Sequence, residues 1–460
     1  MEATAAPVLR RLVKNMSLTF LGTSSGGGPT ISRNCTSTAL TFRGFRFNES
    51  WLFDCAEGTQ RQIQKLMSVY RVEPHKIRVQ RKDISKIFVT HMHVDHVMGI
   101  VPLMNNLTPG YHTSTDKVRL QLYGPAGLRS FVRNNLRSCQ VRLSAKYTVD
   151  ELLTEHDPIT SCEEGDLHPN EAPGRNILPD SKGLWNDFVS TSMPISVSAG
   201  PLIHRIPCIG YAITEVVSKP DDSVEWHPEP FRRKVVICGD CSDASGVSEI
   251  AKFPSVLVHE ATKFSSRSDF FNIGEQRSGT EMLHKLESIV ARRQPHRNGA
   301  DDSSPAEEAL TSNANEDNAA NLTSNYQLYA KAHESAVASG HSTPSMAGAF
   351  AQSIGAHELF LNHISTQVRS YKSDNISEIK QQAREKFDGK VVVARDMLTV
   401  NVKYVLPTQR MPINEPIADP IGHMMQVEID GLQSHTLPSQ DSNASKQTRP
   451  NQDCFHEDQH

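Results

Sequence analysis

Residues 84–90 (ISKIFVT) form a short apolar run that leads straight into Thr90-His91-Met92-His93-Val94-Asp95-His96. No other junction in the chain constrains its fold as strongly. In extended chain, residues two apart point the same way, so His91 and His93 face one point at the end of a buried strand. A following turn brings Asp95 and His96 round to the same space. Imidazole and carboxylate donors at this density suit zinc or a similar divalent ion. The alternative is a polar turn with solvated histidines, and a lone histidine would favour it. An apolar strand before the cluster and an apolar helix expected over 97–103 after it favour the metal.

The rest of the chain punctuates around that junction. Strand character recurs at 17–21, 38–42, 51–53, 119–123, 235–238, 255–259, 358–361 and 390–393. Helical spacing appears at 58–69, 125–136, 280–290 and 345–354. Early hairpins followed by strand–helix alternation imply an α/β fold with helices over sheet faces. The length, 460 residues, allows up to ~3 domains, but hydrophobic residues make up only 37%. The polar excess is concentrated in 294–324 and in a tail from 408, richest in Ser, Gln, Asn, Asp and His over 433–460. Neither stretch buries enough apolar surface to offset its ordering entropy, so both are expected to be disordered. The expectation is therefore one domain over 17–407, after an extension over 1–16. Residues 154–192, dense in turn pairs such as Asp157-Pro158 and Pro173-Gly174, are expected to be a long arm-like excursion from the core.

Charge excludes one class outright. With 48 basic and 52 acidic residues, the chain is no globally basic nucleic-acid coat, although local patches stay open. No apolar run approaches the ~20 residues of a membrane span. Eight cysteines over this length argue for a reducing compartment rather than a disulfide scaffold. Cytosol or nucleus is expected. Arg10, Arg11 and Lys14 hint at a mitochondrial presequence, which Glu2 and the scarcity of Ser weaken, and Met16 is a second candidate start.

Five further segments occur in order: Leu21-Gly22-Thr23-Ser24-Ser25-Gly26-Gly27-Gly28-Pro29 with Arg33-Asn34; Asp54-Cys55-Ala56-Glu57-Gly58-Thr59-Gln60-Arg61-Gln62; His259-Glu260-Ala261-Thr262; His341-Ser342-Thr343; and Leu361-Asn362-His363-Ile364-Ser365. Together with the histidine cluster they resemble the ribonuclease Z (tRNase Z) family, tRNA 3′-processing endoribonucleases of the metallo-β-lactamase superfamily, in its short, single-domain form. The resemblance runs from residue 17 to about 404. It implies a four-layer αβ/βα sandwich with a two-zinc site at one edge, a homodimer, and precursor tRNA as partner. It also implies that His91, His93 and His204 hold one zinc, that Asp95, His96 and His363 hold the other, and that Asp240 bridges them. Asp95 would double as general base.

The leaving 3′-oxygen of a ribonucleotide needs a proton, and an imidazole exchanging protons near neutrality can give it. His341 is the candidate donor. Glu260 either orients a histidine or is a plain strand-end carboxylate. The glycine-rich loop of residues 24–30 either offers backbone N–H groups to phosphate or is a tight turn. Arg33, Asn34, Arg61 and Lys263 are candidate substrate contacts, with solvated surface as their alternative. Cys238 and Cys241 lack a partner pair and are expected to be structural. Two features depart from the family pattern: Cys241 stands where Thr is common, and the arm-like span, with Glu151 just before it, is acidic at Glu155, Asp157, Glu163, Glu164 and Asp166. An acidic arm is a poor phosphate clamp. The competing functions are a small-molecule hydrolase of the same superfamily (aryl or cyclic-nucleotide phosphodiesterase, or thioesterase) and a non-catalytic RNA-binding half. The complete ligand set argues against the latter.

Overall fold

Side-chain alternation with period two sorts the strands onto faces. In β1 (Asn15–Gly22), Met16, Leu18 and Phe20 enter one apolar cluster while Leu21 joins another. In β11 (Val256–Glu260), Val256 and Val258 share that first cluster and Leu257 turns to a third. Strands buried on both faces read as near-continuous apolar runs, which is why the sequence marks them clearly. The computed structural model describes residues 13–69, 79–107, 117–216, 232–264, 330–368 and 373–405.

Two sheets result. The first runs in the order β14 (Thr399–Asn401), β1, β2 (Ser37–Arg43), β3 (Asn48–Phe53), β4 (Ile84–Phe88), β5 (Val118–Pro125), β6 (Lys146–Leu152), β7 (Asn176–Ile177). The second runs β13 (Lys390–Val393), β12 (Glu358–Asn362), β11, β10 (Lys234–Ile237), β9 (Cys208–Glu215), β8 (Ile195–Leu202). Between them lie Phe20, Phe53, Phe88 and Tyr123 from one sheet and Tyr211, Val235, Val258 and Phe360 from the other. Phe53, Phe88 and Tyr123 stack in a row at centroid spacings of 4.9 and 5.0 Å. Helices α1 (Thr59–Val69), α3 (Ile100–Leu107) and α4 (Leu128–Ser138) cover the outer face of the first sheet through Ile63, Leu103 and Val132. Helices α6 (Pro344–Ser353) and α7 (Ser373–Arg384) cover the second through Ala351 and Ile379, after the short α5 (Ser248–Ala251). The expected four-layer αβ/βα sandwich is the observed one.

The helix expected over 97–103 is two pieces, α2 (Val94–Val97) and α3, separated at Met98-Gly99. Strands β6, β8, β9 and β14 and helix α7 carry polar or small residues and were not singled out by sequence. The expected helix at 280–290 and the expected disorder at 294–324 and 408–460 fall outside the described residues. Among the described residues, no helix is long and apolar enough to cross a membrane.

The arm-like excursion needs correcting. Its residues lie along the sheet edge instead of projecting: Glu151 and Leu152 pair with Asn176 and Ile177, and Trp185 pairs with Ala199 of β8. Trp185, Phe188, Val189 and Met193 enter the core between the sheets. Buried acids here serve internal ion pairs. Glu171 takes both Nε and Nη2 of Arg133 at 2.8 Å, and Glu151 lies 3.2 Å from the fully buried Arg129. Glu155, Glu163, Glu164 and Asp166 stay exposed. Arg129 also donates to the carbonyls of Val149, Thr160 and Arg175, so it pins the strap to β6. Removing it by Arg129→Ala leaves Glu151 buried and unpaired, which should cost about 3–5 kcal/mol in a urea unfolding experiment. A loss below ~1 kcal/mol would show that the strap holds without it.

Candidate metal centre

Each donor sits just past the carboxyl end of a strand or in a turn at the same rim. His91 and His93 follow β4, Asp95 and His96 open α2, His204 lies in the β8–β9 turn, Asp240 follows β10, and His363 follows β12. Strands β10, β11 and β12 pair in parallel, so their ends bring Asp240, Glu260 and His363 to one rim.

The structure gathers all seven expected ligands. Donor atoms of His91, His93, His204 and Asp240 lie within 4.8 Å of one another, as do those of Asp95, His96 and His363. His93 Nδ1 is 2.9 Å from His91 Nε2 and 3.2 Å from His204 Nε2. His363 Nε2 is 3.2 Å from Asp95 Oδ2 and 3.4 Å from both His96 Nε2 and Asp240 Oδ2. Asp240 reaches both groups, with Oδ2 3.7 Å from His91 Nε2 and Oδ1 3.6 Å from His96 Nε2. A tetrahedral ion with bonds of about 2.0–2.1 Å spaces its donors about 3.3 Å apart, so these separations fit zinc in both positions.

Hydrogen bonds behind the rings select the nitrogen each one presents. His91 Nδ1 meets Thr90 Oγ1 at 3.0 Å, His96 Nδ1 meets Asp54 Oδ2 at 2.8 Å, and His363 Nδ1 meets Thr262 Oγ1 at 2.7 Å. His204 Nδ1 donates to the carbonyl of Gly340. Each of these four therefore turns Nε2 to the centre, the arrangement by which outer partners fix a metal-binding histidine. Gly340 has φ +72° and a Cβ there would lie 2.8 Å from His204 Nδ1, so glycine is required. Asp54 and His363 adopt φ of 57° and 52°, a region costly for residues with a side chain and typical of strained functional sites.

Charge is balanced for a cation. Burial, then the neighbouring His96, holds the His91 pKa well below the usual histidine value, keeping a lone pair available. Burial also opposes charge on His96, but Asp240 and Asp54 outweigh it and hold its pKa well above that value. Burial opposes ionisation of Asp95 too, yet hydrogen bonds from His363 and His96 keep its carboxyl below the usual range. Asp240 is buried as well, and His363 and His96 hold it well below the ordinary carboxylate value. A bound dication would take the place of the protons these pairs otherwise share.

Beside the ligands, His341 Nδ1 lies 3.1 and 3.2 Å from the two oxygens of Glu260. Glu260 is buried and also accepts from the Cys241 N–H at 2.6 Å. Of the two roles open to Glu260, expected as a catalytic residue, the geometry matches the one that orients a histidine: it sits behind the His341 ring as a positioning residue. Thr343 caps α6.

The substrate-contact expectations change more. Arg33 is buried, and its Nη1 donates to Thr23 Oγ1 and the Ala394 carbonyl at 2.7 Å each. The Asn34 side chain donates to the Glu57 carbonyl at 2.8 Å, and its N–H to Asp396. Arg33 braces the glycine-rich loop from inside and the half-buried Asn34 from its edge, together with Asp396, which also takes Thr23 Oγ1 and Gln62 Nε2. That loop passes the centre at Gly26, where a Cβ would lie 3.5 Å from Asp95 Oδ2. Arg61 is exposed on α1. Cys238 and Cys241 are buried, and burial pushes the Cys238 thiol up to about 12, as a structural cysteine requires.

Asp54 is the residue that sequence reasoning passed over, although a carboxylate just after an apolar strand was a usable signal. It accepts from the Thr90 N–H at 2.7 Å and Oγ1 at 2.9 Å as well as from His96. Asp54→Asn turns one acceptor into a donor facing a donor, so metal affinity should fall about 10–100-fold in a chelator-competition titration. Unchanged affinity would remove Asp54 from the site.

A family model described as metallo-beta-lactamase superfamily matches residues 48–174. Ribonuclease Z of Listeria monocytogenes serotype 4b is 32% identical over 253 residues, covering 54% of this chain and 76% of that protein. The chain belongs to the ribonuclease Z family. Zinc phosphodiesterase ELAC protein 1 of Homo sapiens is 26% identical over 449 residues, covering 84% of this chain and 99% of that one. The crystal structure of human tRNase Z, short form, aligns over 84% of this chain and 99% of its own, at 24% identity and a TM-score of 0.49. As in the zinc phosphodiesterases of the ribonuclease Z family, the donor set here is one for a zinc-type metal.

Proposed function

We propose that this protein is a zinc-dependent endoribonuclease that removes the 3′ trailer from precursor tRNA, with two zinc ions per chain. The observation that carries it is the shared Asp240 between two adjoining donor groups, with the Glu260–His341 pair at their edge. Bound zinc would supply charge stabilisation at the phosphate and a water acidified from a pKa of roughly 15.7 to about 7. Asp240, within 3.4–3.7 Å of His91, His96 and His363, would serve as a ligand to both ions. Asp95 is engaged at Oδ2 by His363, which leaves Oδ1 to orient the attacking water and accept its proton. The water oxygen adds to phosphorus and the bond from phosphorus to the 3′-oxygen breaks. His341, held at Nδ1 by Glu260, delivers the proton that this oxygen needs from Nε2. The tRNA leaves with a 3′-hydroxyl and the trailer with a 5′-phosphate. The same reading includes a homodimer in the cytosol or nucleus, to be checked by light scattering and by imaging of a tagged chain.

The deciding experiment incubates the metal-loaded protein with a 3′-extended precursor tRNA and, in parallel, an aryl phosphodiester. Cleavage at the trailer junction with the stated end groups is expected. Robust diester turnover without tRNA cleavage would replace this proposal with a small-molecule phosphodiesterase.

A further inference from the structure

The β2–β3 turn carries a group of side chains for which hydrolysis at the metal centre has no use. Phe45 stands 78% exposed at the turn. Lys14 Nζ lies 5.1 Å and the Arg46 guanidinium carbon 5.7 Å from its ring centroid. Next to the ring is an open hollow of about 450 Å³, also lined by Arg43, Arg46, Lys82 and Asp83. Arg43 is steadied there by its Nε donating to Asn48 Oδ1 at 3.1 Å.

Each part has a counterpart in one ligand chemistry. A large aromatic face in water is unfavourable and offers a stacking platform to any base. Lys14, Arg43, Arg46 and Lys82 provide the cations that phosphates need, in a chain whose overall charge is slightly negative. An anionic lipid surface would meet the cations but offers no planar ring to stack on Phe45, so a nucleotide is the occupant that uses both features. We propose that this hollow is a second RNA-binding site, which holds a nucleotide of the substrate with its base on Phe45 and its phosphates on Arg46 and Lys82.

The position gives the site its meaning. It lies where β3 begins and just before β4, and these strands run parallel, whereas the metal donors follow strand ends. β3 has six residues, so at ~3.3 Å per residue the hollow is about 20 Å from the centre. Only an extended RNA touches both, while a small diester reaches the metals alone. The identity of the RNA rests on the function proposed above; the geometry does not.

The test compares wild type with the Phe45→Ala/Arg46→Glu/Lys82→Glu variant at full metal loading. The side chains of Phe45, Arg46 and Lys82 are exposed, and a matching melting temperature confirms the fold. For precursor tRNA, KM should rise about 10–100-fold with kcat unchanged, and aryl diester turnover should be unaffected. The slope of log affinity against log salt should fall by about 1.5, the share of two lost phosphate contacts. Phe45→Trp with Arg46→Lys should restore KM. An unchanged KM and salt slope would overturn the site while leaving the cleavage function intact. Should wild type fail to cleave precursor tRNA, that function falls first, and filter binding of the same RNA decides the site: weaker binding by the variant supports it, equal binding overturns it. Loss of anionic-vesicle binding with RNA binding intact would also overturn it, in favour of a membrane surface.

Discussion

Asp240→Ala should abolish hydrolysis of every substrate and leave fewer than two metal ions on each chain. The expectation follows from one carboxylate serving two donor groups, its Oδ2 3.4 Å from His363 and 3.7 Å from His91, and its Oδ1 3.6 Å from His96. Alanine removes a ligand from both positions together. It also leaves buried, mutually repelling imidazoles with less compensation, since Asp240, with Asp54, supports the His96 charge. Loss of several kcal/mol of charge stabilisation corresponds to at least about 10³-fold in turnover. Metal counting by plasma emission and a diester assay check the two halves separately. Two retained ions with ordinary turnover would remove Asp240 from the shared position.

His341→Ala should slow RNA cleavage by about 10²–10⁴-fold with metal content unchanged. The geometry admits a competing role, because donor atoms of His341, Asp240 and His363 also lie within 4.8 Å of one another. Glu260 decides between them: its oxygens hold His341 Nδ1 at 3.1 and 3.2 Å, closer than the 3.7 Å to Asp240. A proton donor matters when the leaving oxygen is strongly basic, so an aryl diester should lose far less rate than RNA. Glu260→Gln should produce a milder version of the same split, because it keeps the shape behind the ring but alters what Nδ1 meets. Equal losses on both substrates, or a missing metal ion, would move His341 out of the donor role.

What the sequence disclosed was whatever is local. His91 to His96 stand together beside an apolar strand, so their meeting needs only extended geometry and a turn. His204, Asp240 and His363 came through motif resemblance, and the structure brings them to the same rim. Asp54 stayed hidden because its partner His96 is 42 positions away and the contact exists only once β3 and β4 pair in parallel. Arg33 looked like a surface contact because nothing nearby predicts its burial. Asp396, 362 positions beyond Asn34, draws that stretch inward. The strap misled for another reason: Trp185, Phe188 and Met193 follow no period among prolines and glycines, yet each fills the core.

The division of the donors between the sheets restricts how this molecule can move. His91 and His93 extend from the first sheet, and His204 and Asp240 from the second. Asp95 and His96 likewise face His363 across the gap. If two zinc ions are held as proposed, their bonds of about 2.0–2.3 Å would tolerate little stretching, and a slide of ~1 Å between the layers would open both positions at once. Loaded as proposed, the centre would thus resist breathing of one sheet against the other. In that state, room for a bulky substrate would come from the loops at the rim, with the two sheets moving as a single body.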